Sequence, residues 1–172
     1  NTAALQANKL APTLIPAAAM ASGAHVSQNS KRRAVKTLTT AWSANPHPEL
    51  AAAFAAIEPD ETPAARRARF AKLTAAKPDD PESRLLLAEL ALADEDFPAA
   101  RKALGDLAET TPTTRSLAVM AAIERGQGAP DAVVRGWLAK ALNASRGPQW
   151  ICAKCNHVHE AWEPVCDNCG AF

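Results

Sequence analysis

Tyrosine is absent from this chain of 172 residues, and the other aromatics are scarce, at four tryptophans and four phenylalanines. A core with so few large rings has to be filled by small aliphatic side chains, and the abundant alanine suits helices packed at close range. Glycine occurs seven times, and no alternating run rich in Val, Ile or Thr is found, which excludes a sheet of any size. Charge of one sign is also missing. With 19 Lys and Arg against 18 Asp and Glu, bulk electrostatics points to neither nucleic acid nor an anionic membrane as partner. The longest apolar stretches, 14–21 and 50–57, fall far short of the ~20 residues needed to span a bilayer, and Pro16 interrupts the first. The fragment is expected to be soluble.

What is present is helical periodicity, clearest over 81–112. Leu85, Leu87, Ala88, Ala91 and Leu92 form one amphipathic stripe, and Ala100, Ala103, Leu104 and Leu107 form another. Asp94-Glu95-Asp96 separates them. Phe97-Pro98 restarts the helix, since proline is tolerated in a first turn where its missing N–H has no partner to lose, and Pro112 stops it. Neither helix can bury its stripe alone, so the unit is expected to belong to a stack.

The same frame recurs along the chain. A step of about 34 residues maps Leu87, Ala88, Ala100 and Leu104 forward onto Ala121, Ala122, Val134 and Leu138, and backward onto Ala53, Phe54, Arg66 and Phe70. A slightly shorter step reaches Ala21, Ser22, Ala34 and Leu38. Residues 3–10, closed by Pro12, read as the second helix of a further repeat, so the chain reads as an internal or C-terminal piece. This pattern of large and small apolar residues closed by proline resembles the tetratricopeptide repeat (TPR) family. The expected fold is therefore all-α: a TPR-like solenoid of helical hairpins over residues 1–148, with about eight or nine helices in antiparallel pairs. Arg66 occupies a position where the aligned residue is Ala100, and burying its charge would cost several kcal/mol unless it is paired. It is expected to lean outward. Lys31-Arg32-Arg33 reads as a solvated helix face, and Gly126-Gln127-Gly128 as a turn, since no strand precedes it and no Lys-Ser/Thr follows.

Composition changes at once after Arg146-Gly147-Pro148. Residues 149–172 hold all four cysteines, as Cys152-x-x-Cys155 and Cys166-x-x-Cys169 with ten residues between the pairs. Each C-x-x-C turn brings two thiolates to the end of a tight knuckle, and two knuckles complete a tetrahedral S4 site for zinc, with iron the alternative. Paired C-x-x-C spacing in so short a segment favours metal over two disulfides. Gly170 and Asn156 stand where the knuckles need positive φ. His157 and His159 are alternative ligands in place of a cysteine. A closed S4 shell leaves no place for substrate, so the metal is expected to be structural. Glu160, Glu163 and Asp167 outnumber Lys154, the opposite of a nucleic-acid zinc ribbon. Trp150, Val158, Trp162 and Val165 are expected to cap the stack by packing near Trp137 and Leu138.

The combination resembles two families. One is the bacterial lipopolysaccharide-assembly TPR protein with a rubredoxin-like C-terminal ribbon. The nearer likeness is to the alphaproteobacterial HemY-type proteins, carried by NKLAPTLIPAAAMA, AWSANPHPELAAAFA, DPESRLLLAELAL, LAKALNASRGPQW and EAWEPVCDNCGAF. What the HemY resemblance implies is a non-enzymatic scaffold or regulator at the bacterial inner membrane, associated with late haem (protohaem) biosynthesis. The membrane anchor would lie upstream of Asn1 and the soluble domain on the cytoplasmic side. A scaffold of this kind receives partner proteins on its concave face, for which Glu82, Leu85, Glu89 and Leu92 are the candidates. The alternative function is a haem or porphyrin carrier using His25, His47, His157 or His159 as axial ligand.

Overall fold

The computed structural model describes residues 2–171; Asn1 and Phe172, the outer bounds of the two expected modules, lie outside them. Among the described residues the helices run α1 (Thr2–Leu10), α2 (Ile15–Ser27), α3 (Lys31–Ala44), α4 (Pro48–Ala55), α5 (Pro63–Thr74), α6 (Pro81–Ala93), α7 (Phe97–Leu104), α8 (Leu107–Thr110), α9 (Thr114–Gly126) and α10 (Asp131–Leu142). A two-stranded ribbon of β1 (Trp150–Ile151) and β2 (Val158–His159) follows. Residue chemistry explains most starts. Thr62, Asp80, Asp96 and Thr113 cap their helices with a side-chain oxygen, and prolines occupy the first turns of α4, α5, α6 and α7. His47 does the same for α4 with a nitrogen, its Nδ1 accepting from the Glu49 N–H at 3.2 Å.

Neighbouring helices pack as hairpins, α2 on α3, α6 on α7 and α9 on α10, and successive hairpins meet through α6 on α9 and α7 on α9. The apolar side chains divide into two cores. The first gathers Ile15, Leu38, Trp42, Leu50, Phe54, Phe70 and Leu73 together with Leu86 and Leu90 of α6. The second gathers Leu85, Ala88 and Ala91 of the same helix with Leu104, Leu117, Met120 and Ile123. No helix among the described residues is long and apolar enough to cross a membrane.

The repeat frame holds at Leu38, Phe70 and Leu104, all buried, and fails at Leu138, which is 42% exposed. Ala122 is exposed as well. Nothing in the described chain packs beyond α10, so the outer side of the last hairpin faces solvent, with Val133 and Leu142 also exposed. A second departure falls at Gly105. The stripe expected to run from Ala100 through Leu107 is broken there into α7 and the single turn α8, because Gly105 takes φ 55°. A Cβ at that position would lie 2.2 Å from Arg84 Nη2, which donates to the Leu104 carbonyl and to Asp106 Oδ1, each at 2.8 Å.

Arg66 leans outward as expected and pairs with Glu61 at 3.2 Å. Arg69 lies deeper. Its guanidinium stands 4.5 Å from the Phe54 ring centroid and 5.1 Å from that of Phe70, and Nη1 donates to the Phe54 carbonyl. The two rings meet edge to face at 4.9 Å, so α4 and α5 join through direct ring contact with the Arg69 guanidinium packed against both rings, rather than by close alanine packing.

Glu61 receives both Arg69 and Arg66, and the Arg69 hydrogen bonds above all hold its carboxyl below the ordinary 4.5, burial opposing them. A depressed carboxyl contributes stability that is present above the unfolded value and is lost as pH falls through the folded one. Glu61→Gln should therefore lower stability at pH 7 by about 1.5–3 kcal/mol, the range for a hydrogen bond to a charged group. The gap to the parent should shrink as the pH is taken below 4.5. Urea unfolding at both ends of that range reads it; a gap that stays constant would mean Glu61 is not the linked group.

Candidate metal centre

The tail folds as two knuckles and a short ladder. In the first knuckle the Asn156 N–H donates to the Cys152 carbonyl at 2.9 Å, and in the second the Gly170 N–H donates to the Cys166 carbonyl at 2.8 Å. The chain turns through the left-handed region at Asn156, φ 58°, and Gly170, φ 66°, the two places where the spacing requires it. On either side of the first knuckle, β1 and β2 pair antiparallel with Trp150 opposite His159 and Ile151 opposite Val158.

This arrangement brings all four Sγ atoms within 4.8 Å of one another. Across the knuckles, Cys152 Sγ lies 3.8 Å from Cys169 Sγ and Cys155 Sγ lies 3.7 Å from Cys166 Sγ. A disulfide would need about 2.05 Å. A tetrahedron with metal–sulfur bonds of about 2.3 Å has edges of about 3.8 Å, so the donor set fits one tetrahedral ion.

The backbone prepares these sulfurs for negative charge. The N–H groups of Cys155 and Lys154 hold the Cys152 thiol below its usual range. Asn168, then the His157 N–H, bring Cys155 down to about 6. Cys166 goes up through burial, which outweighs the N–H groups of Cys169 and Asn168. At Cys169 the Ala171 N–H pulls the thiol down, but the crowding of the other thiols and burial carry it up to about 12. Two sulfurs low and two high is what four like charges do without a counterion, and a divalent cation removes the conflict.

His157 and His159 do not enter this sulfur group; they form a second one with Asp167. The ribbon also sits elsewhere than expected. Trp150 packs against the first core, its Nε1–H donating to Glu49 Oε1 at 2.6 Å and its ring 5.3 Å from that of His47. Val158, Trp162 and Val165 remain largely exposed, as does Leu138. The expected cap on the last hairpin is thus corrected. Thr113 and Ser145 form an isolated parallel bridge that turns the chain back after α10, and 146–148 then cross the starts of α9, α6 and α4. The Glu49 carboxylate at the start of α4 is the partner of the indole N–H.

The four residues expected on an open partner face are also placed differently. Arg115 of α9 donates to Glu82 at 2.7 and 2.8 Å and to Glu89 at 2.6 and 2.7 Å. Leu85 is buried in the second core and Leu92 packs against it. In an array whose hairpins stack through α6 and α9, that stripe meets the next hairpin first. Glu82 and Leu85 still reach a cavity of about 430 Å³ beneath 146–148, which Pro46, Pro81, Arg115 and Pro148 also line. Of the other histidines, His47 is occupied in capping α4, and His25 Nδ1 is buried without a hydrogen-bond partner. Arg115 and Glu49 were invisible to sequence reasoning as parts of the site. Each acts on a residue 26 or more positions away, beyond any local pattern.

The chain is 30% identical over 158 residues to a protein of Magnetospirillum gryphiswaldense described as "Probable magnetosome protein Mms48", an alignment that takes in 91% of this chain and 35% of that relative. This chain therefore spans about a third of the relative's length. No family model matches it, and neither does a solved structure.

Trp150→Phe keeps an aromatic ring, though a smaller one, and deletes the bond to Glu49. The ribbon should then dock more weakly by about 1.5–3 kcal/mol, with faster amide exchange over 149–171 and at the start of α4 and with metal content unchanged. Unaltered exchange at both places would show that the indole does not tether the ribbon.

Proposed function

We propose that this chain is a non-catalytic interaction scaffold, a TPR-like array of helical hairpins whose C-terminal ribbon is closed by structural zinc, with iron the alternative ion. One observation carries the metal: the cross-knuckle sulfur separations of 3.8 and 3.7 Å match the edges of a tetrahedron closed by thiolates alone. Cys152, Cys155, Cys166 and Cys169 would hold the ion, which supplies folding energy to a segment too short to build a core. With four protein ligands the shell has no open position, so the ion is not asked to do chemistry.

The ribbon's use follows from where the chain runs. The 146–148 segment lines one cavity with Pro46, Pro81 and Leu85, an apolar slot whose polar lining includes Asp80, Glu82, Arg115 and Arg146. An extended partner segment presenting a small apolar side chain suits such a slot, with a carboxylate meeting Arg146, since Arg115 is already held by Glu82 and Glu89. The wider setting is proposed from resemblance: a HemY-type role at the inner membrane, associated with late haem biosynthesis and anchored by parts of the parent protein outside this chain. The relative's name offers a magnetosome association as the alternative setting for the same scaffold, and the TPR–rubredoxin likeness offers lipopolysaccharide assembly.

A photo-crosslinker at Thr111, which lines the cavity, tests both halves at once in cells carrying the parent protein. Cys166→Ser should lose the ion and reduce capture of the partner at least about tenfold, while circular dichroism shows the helices intact, since repeats derive stability from their neighbours. Capture that survives loss of the ion would remove the ribbon from the binding site, and metal retained by Cys166→Ser would remove Cys166 from the cage.

A further inference from the structure

Beside the sulfur cage the ribbon holds a second group of donor atoms. Asp167 Oδ1 stands 3.5 Å from His157 Nε2 and 3.5 Å from His159 Nδ1, and the two imidazole rings lie 4.9 Å apart at 82°. Glu163 Oε2 is 3.9 Å from the same His159 nitrogen. The 3.5 Å separations exceed the 2.7–3.2 Å of a hydrogen bond. They match the edge, about 3.4 Å, of a tetrahedron with metal–ligand bonds near 2.1 Å.

We propose that His157, His159 and Asp167, with Glu163 within reach as a fourth ligand, form a second metal site, for a divalent first-row transition ion. Two imidazoles and a carboxylate are borderline donors suited to ions such as Fe²⁺, Co²⁺ or Zn²⁺. They are too nitrogen-rich for Ca²⁺ or Mg²⁺. Each ligand is set by the knuckles. Asp167 lies between Cys166 and Asn168, His157 follows the turn at Asn156, and His159 is paired opposite Trp150 in the ladder. The two sites differ in access. The His159 side chain is 10% exposed, whereas that of Asp167 is 63% exposed, so one side of the ion stays open to solvent and to a further ligand. The sulfur cage closes on its own four ligands; this site has room for exchange. Its geometry rests on the S4 reading only in that the first ion keeps the knuckles folded.

Cobalt distinguishes the two, because thiolate ligands give intense charge-transfer absorption and nitrogen and oxygen ligands do not. The chain is loaded with one equivalent of Zn²⁺ and titrated with Co²⁺. The expected result is a second equivalent bound without a thiolate band, with paramagnetic shifts on the ring protons of His157 and His159. His159→Ala and Asp167→Asn should each weaken that second ion by on the order of tenfold or more while one zinc per chain remains; the guide here is the 10–100-fold that even outer-shell partners contribute. Saturation at a single ion, or unchanged Co²⁺ binding in His159→Ala, would overturn the proposal. Histidine shifts in a chain that shows no thiolate band with cobalt alone would keep this site and sink the sulfur cage instead.

Discussion

The fold depends on one helix having two buried sides. Helix α6 sends Leu86 and Leu90 into the first core and Leu85, Ala88 and Ala91 into the second, so neither half of the chain can bury its apolar surface without it. Each leucine so placed is worth about 1.5–3 kcal/mol relative to exposure. A helix of this kind cannot have a free polar face along most of its length. That is why Glu82 and Glu89 end up clasped by Arg115, and why Ser83, fully buried, is satisfied by the Trp42 Nε1–H at 3.1 Å. The constraint also explains why residues 81–112 carry the most regular pattern in the sequence. A surface that must fit two neighbours at once has the least freedom to vary in character.

Much of the fold was legible because helical period and proline punctuation are local signals. The start of α6 at Pro81, the turn at Gly126-Gln127-Gly128 that ends α9, the buried Leu38, Phe70 and Leu104, and the outward Arg66 all follow from spacing and charge within a few residues. The cysteine knuckles were legible for the same reason, down to the positive φ at Asn156 and Gly170. What was not legible depends on contacts between distant segments. The break at Gly105 needs Arg84, 21 positions earlier, to fill the space of a Cβ. The docking of the ribbon needs Glu49, 101 positions before Trp150. Alanine spacing also hid how α4 meets α5, since Arg69 packs its guanidinium against both Phe54 and Phe70.

Arginine recurs at these unforeseen contacts. Arg67 reaches Asp94 and Asp96 ahead of α7, Arg84 closes the end of α7, Arg101 meets Glu124 in α9, and Arg115 returns from α9 to α6. Each joins one helix to another across a polar edge that alanine and leucine leave open. A planar guanidinium can hold a carboxylate and a carbonyl, or two carboxylates, in one geometry. Part of the charge in the sequence therefore serves pairing within the fold, through Arg67, Arg84, Arg101 and Arg115. It says little about what the surface attracts.

The ribbon is bound to the helices by the same kind of contact, and this sets how far its metal can influence the rest. Strand β1 is joined to α4 by the indole bond to Glu49 and by the tilted contact of its ring with His47, the residue that caps α4 through Nδ1. Burial lowers the His47 basicity more than Glu49 raises it, which keeps the ring neutral and able to accept from the Glu49 N–H. Helix α4 in turn places Leu50 and Phe54 in the first core. An ion that orders the knuckles thus fixes β1, β1 fixes the indole, and the indole shares its two partners with the start of α4. The second core meets the segment ahead of the ribbon through the Thr114 N–H on the Ser145 carbonyl at 2.8 Å, while its outer helix α10 leaves Leu138 and Leu142 in solvent. Metal occupancy should accordingly be felt more in α4 and the first core than in α10, although α10 is the helix adjoining the ribbon in sequence.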